Sequence, residues 1–298
     1  MYRIALVTNK SLHHKYWVSE LFDKHNVRLI LHPENRSSLK TTKLKAQYGN
    51  IWFIFKIPSI LFNILSPNSF KRRWLVASKK YFNEYESKYA KIPQNIVYDI
   101  PSINDASTIQ LIKESKIDIV CFLGGDIAKN TFFESLDVIS LNFHSGLSPF
   151  YNGNKTIFHC VSDGRPNFAG GTLMLMNEKI DGGSILMSYL VPISKSDDAL
   201  DLFFKGIIGS VKLYDLLLSK GKVSKYNGVR QERSFKYVRN ADWTILNDLK
   251  LKHFEKSGRM KLYAREEKVF DFSNNKTIKE LYSDLLTNVL SKNSKSTH

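Results

Sequence analysis

The residues best suited to chemistry lie in Asn142-Phe143-His144-Ser145-Gly146-Leu147-Ser148-Pro149-Phe150-Tyr151-Asn152-Gly153. An apolar run, VISLNF over Val138–Phe143, carries one polar residue near its end, Asn142, and a His follows two positions later. In an extended backbone residues i and i+2 point to the same side, so Asn142 and His144 are predicted to face one cleft. About forty residues on, Glu178-Lys179-Ile180-Asp181-Gly182-Gly183-Ser184-Ile185-Leu186 sets an acid in a glycine-rich loop that leads into another strand. An amide donor, an imidazole that gives or takes a proton and a carboxylate that orients it suit acyl transfer. Taken singly, each has a plainer reading: an Asn at a strand end caps or turns, a His is structural, and Asp-Gly-Gly is a turn.

Other chemistries find no support. No GxGxxG follows the first strand and no GxxxxGKS occurs, so neither dinucleotide nor P-loop binding is indicated. HExxH and GxSxG are absent as well. The eight histidines show no metal-ligand pairing, so no metal is expected. His13 and His14 are adjacent, and their side chains are expected to diverge. Cys121 and Cys160 sit in apolar surroundings without CxxC spacing, against a disulfide scaffold or a thiolate zinc site. His159, on a helix predicted over Lys155–Ser162, reads as structural or as part of a rim.

The elements that must position these residues follow from periodicity. Arg3–Thr8 and Val27–Leu31 read as strands, with a helix over Tyr16–His25 between them. Asn95–Tyr98 is predicted as a strand and Ala106–Ser115 as a helix. Ile117–Phe122 (IDIVCF) and Val138–Phe143 are continuous runs of strands buried on both faces. Thr172–Met176 and Ile185–Pro192 follow as strands, Asp198–Ser219 as a long helix with an apolar stripe, and His253–Ala264 as a strand or helix. The final LSKNSKSTH reads as frayed. Alternating strands and helices predict an α/β fold, a Rossmann-like and mainly parallel sheet flanked by helices, with a smaller C-terminal region. The core is expected over 1–219, with a basic and apolar insertion at about 36–95, and a small basic region over 220–298. Ligands in such folds collect beyond the carboxyl ends of strands. On that rule Asn9, Lys10 and Ser11, which follow the first strand, and Tyr151 are candidate acceptor contacts.

The chain has 298 residues, 43% of them hydrophobic and 24% charged, with a formal charge of +16. This is globular composition. Residues 1–100 carry 17 basic and 6 acidic side chains, residues 101–200 carry 7 and 11, and residues 201–298 carry 20 and 11. Two basic ends flanking an acidic centre suit an anionic partner, whether a nucleotide-linked metabolite, nucleic acid or anionic lipid; the plainer reading is a solvated lysine-rich surface. Ile51–Leu65 (IWFIFKIPSILFNIL) is too short to span a bilayer and is interrupted by Lys56 and Pro58. It reads as a buried helical insertion or a homodimer contact, or, with Lys71, Arg72 and Arg73, as a peripheral membrane contact over 51–73. The N-terminus lacks the pattern of a signal peptide, so a cytoplasmic protein is expected.

The blocks NFHSGLSPFYNG, GGTLMLM and KIDGGSIL, in that order and spacing, resemble the formyltransferase family that uses 10-formyltetrahydrofolate. The resemblance is firm over about residues 117–220, loose over 1–35 and essentially absent over 36–95. Two positions depart from the family pattern. Ser145-Gly146 stands where Pro-Ser is frequent, and Asn152 where Arg or Lys is frequent. The resemblance implies Asn142, His144 and Asp181 as the catalytic trio, with His144 or Asp181 as the base. It also implies 10-formyltetrahydrofolate as cosubstrate, held by Leu123, Gly124, Gly125, Asp126, Ile180 and Gly182.

Within that family the acceptor amine is reached by elimination. The purine enzyme is shorter, without this insertion or tail. The tRNA enzyme carries a C-terminal β-barrel, for which the 75 residues after Val223 are a tight fit. The formyltetrahydrofolate hydrolase has a separate N-terminal domain that residues 1–35 do not resemble. This leaves the amino group of a nucleotide-linked amino sugar, serving surface polysaccharide synthesis. The alternatives are methionyl-tRNA formylation, folate hydrolysis and a non-catalytic partner at a membrane surface.

Overall fold

The computed structural model describes residues 1–34, 70–177, 182–231, 234–239 and 242–272, together with 283 and 285. Ile51–Leu65, Ile180, Asp181 and the C-terminal LSKNSKSTH lie outside the described residues.

Strands β1 (Ile4–Thr8), β2 (Val27–Pro33), β3 (Val97–Ile100), β4 (Ile119–Leu123) and β5 (Ile139–His144) form the parallel part of an eight-stranded sheet. The two-residue period of β1 splits its side chains between layers: Ile4 and Leu6 enter one core, Ala5 and Val7 the other. A sheet covered on both faces explains the unbroken apolar runs of β1 and β4, all of whose residues are buried. One layer holds α1 (Leu12–Lys24), α2 (Phe70–Phe82), α3 (Tyr85–Tyr89) and, further on, α6 (Thr156–Ser162) and α7 (Ala199–Ser219). The other holds α4 (Ala106–Glu114) and α5 (Asn130–Ser135), whose Ile109, Ile112 and Phe132 are buried.

β7 (Gly170–Leu175) runs antiparallel to β5, β8 (Ile185–Leu190) antiparallel to β7, and β10 (Lys268–Asp271) antiparallel to β8. The full order is β10-β8-β7-β5-β4-β1-β2-β3. The fold class is the predicted one, with an antiparallel edge of three strands. A second, two-stranded sheet pairs β6 (Tyr151–Gly153) with β9 (Lys236–Val238). Residues beyond 219 thus supply a strand to each sheet, and α8 (Ile245–Lys256) packs on α6. Arg265 staples this stretch to the core, donating to the carbonyls of Val191 (2.9 Å), Asn167 (2.6 Å) and Ala169 (2.6 Å).

Beyond shifts of one or two residues at strand ends, elements differ from expectation in three places. The first helix begins at Leu12 rather than Tyr16. Asn95–Tyr98 divides into a 3-10 turn over Gln94–Ile96 and strand β3, because β2 offers its ladder only from Ile30 onward. His253–Ala264 divides into the end of α8 and a 3-10 turn, Arg259–Tyr263, at Gly258. The long helix α7 matches its prediction: Asp198 caps it, accepting from the amides of Leu200 (2.8 Å) and Asp201 (2.9 Å), and Asp201 closes a capping box. Tyr214 of this helix donates to the carbonyls of Phe122 (2.7 Å) and Leu141 (3.2 Å). One buried hydroxyl therefore bridges β4 near its end and β5 at its middle.

Part of the insertion packs into the same core. Trp74 lies against Phe203 and Phe204, with ring centroids 4.9 and 5.1 Å away, and Phe82 is buried. Arg73 pairs with Asp198 at 2.9 Å and with Glu255 at 3.0 Å. Among the described residues no helix is long and apolar enough to cross a membrane.

Candidate functional site

The sheet order reverses direction at β1 and β4, and a cleft of about 440 Å³ opens beyond the carboxyl ends of β1, β4 and β5. One wall is the end of β5. Asn142 is paired with Phe122 of β4 and Met174 of β7, and His144 with Thr172. Both line the cleft, as the two-residue period predicts. His144 is buried, and its Nε2 donates to the carbonyl of Tyr151 at 3.2 Å. The neutral ring then carries its proton on Nε2, which leaves the lone pair on Nδ1.

The turn after His144 is tied down by side chains. The Ser148 amide donates to Thr172 Oγ1 (2.9 Å), which donates to the Gly146 carbonyl (2.9 Å), and Thr156 Oγ1 donates to the Ser145 carbonyl (2.5 Å). At Gly146 a Cβ would stand 2.4 Å from both His144 Nε2 and the Tyr151 carbonyl oxygen. This close packing accounts for a glycine where the resembled pattern carries serine. Asn152, the other departure, is buried and accepts from Ser148 Oγ at 2.7 Å.

The opposite wall is the start of α1, and here the expectation for His13 and His14 is corrected. Adjacent helical residues differ by about 100°, which still lets both rings swing into the cleft from the first turn. Their centroids are 4.1 Å apart and both line it. Ser11 Oγ lies 2.8 Å from His14 Nδ1 and 3.1 Å from His13 Nδ1. A hydroxyl donates once and accepts from the other partner, so one residue serves both rings. Burial pushes His13 down to about 4 and His14 well below the usual imidazole value. The only signal for this pair in the sequence was position: first turn, directly after the first strand.

The strand-to-helix turn Leu123-Gly124-Gly125-Asp126 forms the third side. Gly124 and Gly125 have φ of +68° and +87°, which suits glycine. A Cβ on Gly124 would meet Asn9 Nδ2 and His14 Nε2 at 3.5 Å. Asp126 accepts from Ser102 Oγ and, at 2.9 Å, from the Ile127 amide. Met174, Leu175, Phe203 and Ile207 line the cleft with apolar surface, and Asn177, Gly183 and Tyr237 also border it.

The remaining candidates are placed unevenly. Asn9, Lys10 and Ser11 do not line the cleft; Ser11 is engaged by His13 and His14, and Lys10 pairs with Asp99 at an exposed site, 2.7 Å apart. The Tyr151 side chain turns away to Asp163 at 3.0 Å, and its carbonyl, not its ring, meets His144. The Lys10 and Tyr151 corrections share a cause, since an oppositely polarised partner outside the cleft takes each side chain. Gly182 accepts from Asn177 Nδ2 at 3.4 Å, so both described flanks of the loop bearing Asp181 come together at the cleft. His159 is buried with its ring edge-on to Trp243 at 4.9 Å. Among the described residues no three His, Cys, Asp or Glu gather as metal ligands.

Residues 70–205 match the sequence profile of the formyl transferase family. A methionyl-tRNA formyltransferase from Listeria monocytogenes is 28% identical over 123 residues, which is 41% of this chain and 39% of that protein. The chain thus spans well under two thirds of the curated relative it matches. A sugar N-formyltransferase from a Shewanella species superposes with a TM-score of 0.51 at 16% identity, covering 85% of this chain and 88% of that one. An N-formyltransferase from Helicobacter canadensis, in complex with folinic acid and dTDP-3-aminofucose, superposes with a TM-score of 0.50 at 16% identity, covering 82% and 73%. Residues 70–205 thus carry the sequence profile of the formyl transferase family, on a fold shared with the sugar N-formyltransferase structure.

Proposed function

We propose that this protein transfers a formyl group from 10-formyltetrahydrofolate to a primary amine, the amino group of a nucleotide-linked amino sugar. The observation that carries the reading is the pairing of Asn142 and His144 in one cleft with the Gly124-Gly125 turn. The turn fits the folate, because its left-handed glycines expose backbone amides and carbonyls at the cleft edge beside apolar Leu123 and Met174. Leu123 to Asp126 and Gly182 would hold the pterin, and the bound folate supplies the electrophilic formyl carbon. Asn142 donates its amide N–H to the carbonyl oxygen as negative charge grows there. His144, neutral with its lone pair on Nδ1, accepts the amine proton, and the Tyr151 carbonyl fixes the ring that does so. Asp181 orients or charge-stabilises this exchange. Asn9, beside Gly124 at the cleft rim, remains an acceptor candidate. The sugar acceptor draws support from the Helicobacter relative's dTDP-3-aminofucose and from a fold shared over most of the chain.

A second reading has its own support, since the curated relatives matched are methionyl-tRNA formyltransferases. One experiment separates the readings. Purified protein is mixed with 10-formyltetrahydrofolate, alone and with a pool of nucleotide-linked amino sugars or with methionyl-tRNA. Tetrahydrofolate release and the acceptor's mass are followed. Release only with the sugars, with one formyl group added, is the expected result. Formylation of methionyl-tRNA alone would replace the sugar by tRNA, release without acceptor would identify a hydrolase, and no release in any tube would defeat the assignment.

A further inference from the structure

The C-terminal stretch reaches back into the site through one side chain. After Gly228 the chain pairs Val229 with Ile185 at the start of β8, with N···O distances of 2.8 Å in both directions. This delivers Gln231 to the gap between the turn after β5 and the start of β8. Its Nε2 donates to the Gly183 carbonyl at 2.7 Å, and its Oε1 accepts from Asn152 Nδ2 at 3.3 Å. Asn152 Oδ1 accepts from Ser148 Oγ at 2.7 Å, and the Ser148 amide reaches Thr172 and through it Gly146. The result is one connected series, Gly183–Gln231–Asn152–Ser148–Thr172–Gly146, in which Ser148 donates both ways: through its hydroxyl towards Gly183 and through its amide towards Gly146. Each amide in it donates through nitrogen and accepts through oxygen. Ser148, Asn152 and Thr172 are buried.

The two ends of the series matter because both belong to the cleft. Gly183 lines it directly, and Gly146 packs on His144. The Ser184 carbonyl, next to Gly183, accepts from the amide of Leu175, another lining residue. The series thus spans from the His144 turn to the β7–β8 wall. Every link is uncharged, so a carboxylate at position 231 loses the donor to Gly183 and sets a negative charge beside a carbonyl. We propose that Gln231 is a positioning residue, an amide brace from the C-terminal region that holds the His144 turn and the Gly183 wall at reacting distance. The proposal rests on the formyl-transfer reading for its kinetic consequence and on geometry alone for its structural one.

The test uses the full chain with Gln231→Glu, Gln231→Met, Asn152→Ala and the Asn152→Ala/Gln231→Met double variant. A misplacement of about 1 Å at a reacting site costs on the order of a hundredfold. Gln231→Glu and Gln231→Met are therefore expected to lower kcat by about ten- to hundredfold. KM for both substrates should stay within about threefold and the melting temperature close to wild type. Because the two amides act through one bond, the double variant should be no slower than the worse single one. Exchange of the Leu175 amide, read without substrate, should quicken in both Gln231 variants. Unchanged kcat in Gln231→Met, additive losses in the double variant, or losses that track melting temperature would each overturn the proposal. If wild type transfers no formyl group, the functional reading fails; unaltered Leu175 exchange would separately remove the brace.

Discussion

The two walls of the cleft use the same residue type to opposite ends. At the end of β5, His144 hydrogen-bonds a backbone carbonyl in a turn packed to the limit of a glycine. At the start of α1, His13 and His14 share the hydroxyl of Ser11 among the rings of Trp74, Phe203 and Phe204. The first environment holds the ring by an Nε2–H bond to a backbone carbonyl. The second removes the charged form by burial and makes a neutral wall. What an imidazole does here is set by what surrounds it, and two histidines side by side in sequence share one hydroxyl instead of diverging.

The comparison breaks most easily at the catalytic step. His144→Ala is expected to lower turnover by about 10²–10⁴-fold, the usual contribution of a positioned acid–base group, whereas His13→Phe should cost no more than about tenfold. Steady-state rates of formyl transfer measure both, and equal losses would erase the distinction between the walls.

Acid should expose the second wall. In the folded protein His13 titrates at about 4, below its ordinary 6.5, so the unfolded chain takes up the proton first as pH falls. Stability is full above about pH 6.5 and drains between there and pH 4, by roughly 3 kcal/mol from this group alone. His14 acts in the same direction. Urea unfolding at pH 7 and pH 4.5 reads the slope, and His13→Phe should flatten it. A variant as acid-sensitive as the wild type would mean that the ring is not held neutral.

The glycines of the two sides give a smaller contrast. Gly146→Ala drives a Cβ against His144 and the Tyr151 carbonyl, with an overpacking cost of about 1–3 kcal/mol and a fall in turnover. Gly124→Ala meets only ordinary contacts, and its cost is the left-handed backbone, about 1 kcal/mol, with the His144 turn undisturbed. Thermal denaturation and turnover of the two variants measure this; matching turnover in both would show that the Gly146 packing does not govern His144.

Much of this molecule can be read from its sequence. The buried runs IVCFL and ISLNFH announce strands covered on both faces, and the period of two alone places Asn142 and His144 on one side. The apolar stripe after Asp198 announces α7, and its Asp cap marks where the helix begins. These signals are local, because periodicity and capping act within one or two turns of chain. What the sequence could not supply depends on contacts distant along the chain. Asp99 takes Lys10 away from the cleft across 89 positions, and Asp163 takes the Tyr151 ring. Tyr214 bridges β4 and β5 from 92 and 73 positions away. Gln231 meets Gly183 only because Val229 has paired with Ile185. The sequence by itself determined the fold class and the Asn-x-His end of β5, since backbone period and burial suffice for both. Only the tertiary structure decided which side chains reach the cleft and which are neutral there, because partner choice and desolvation are set by neighbours that folding brings together.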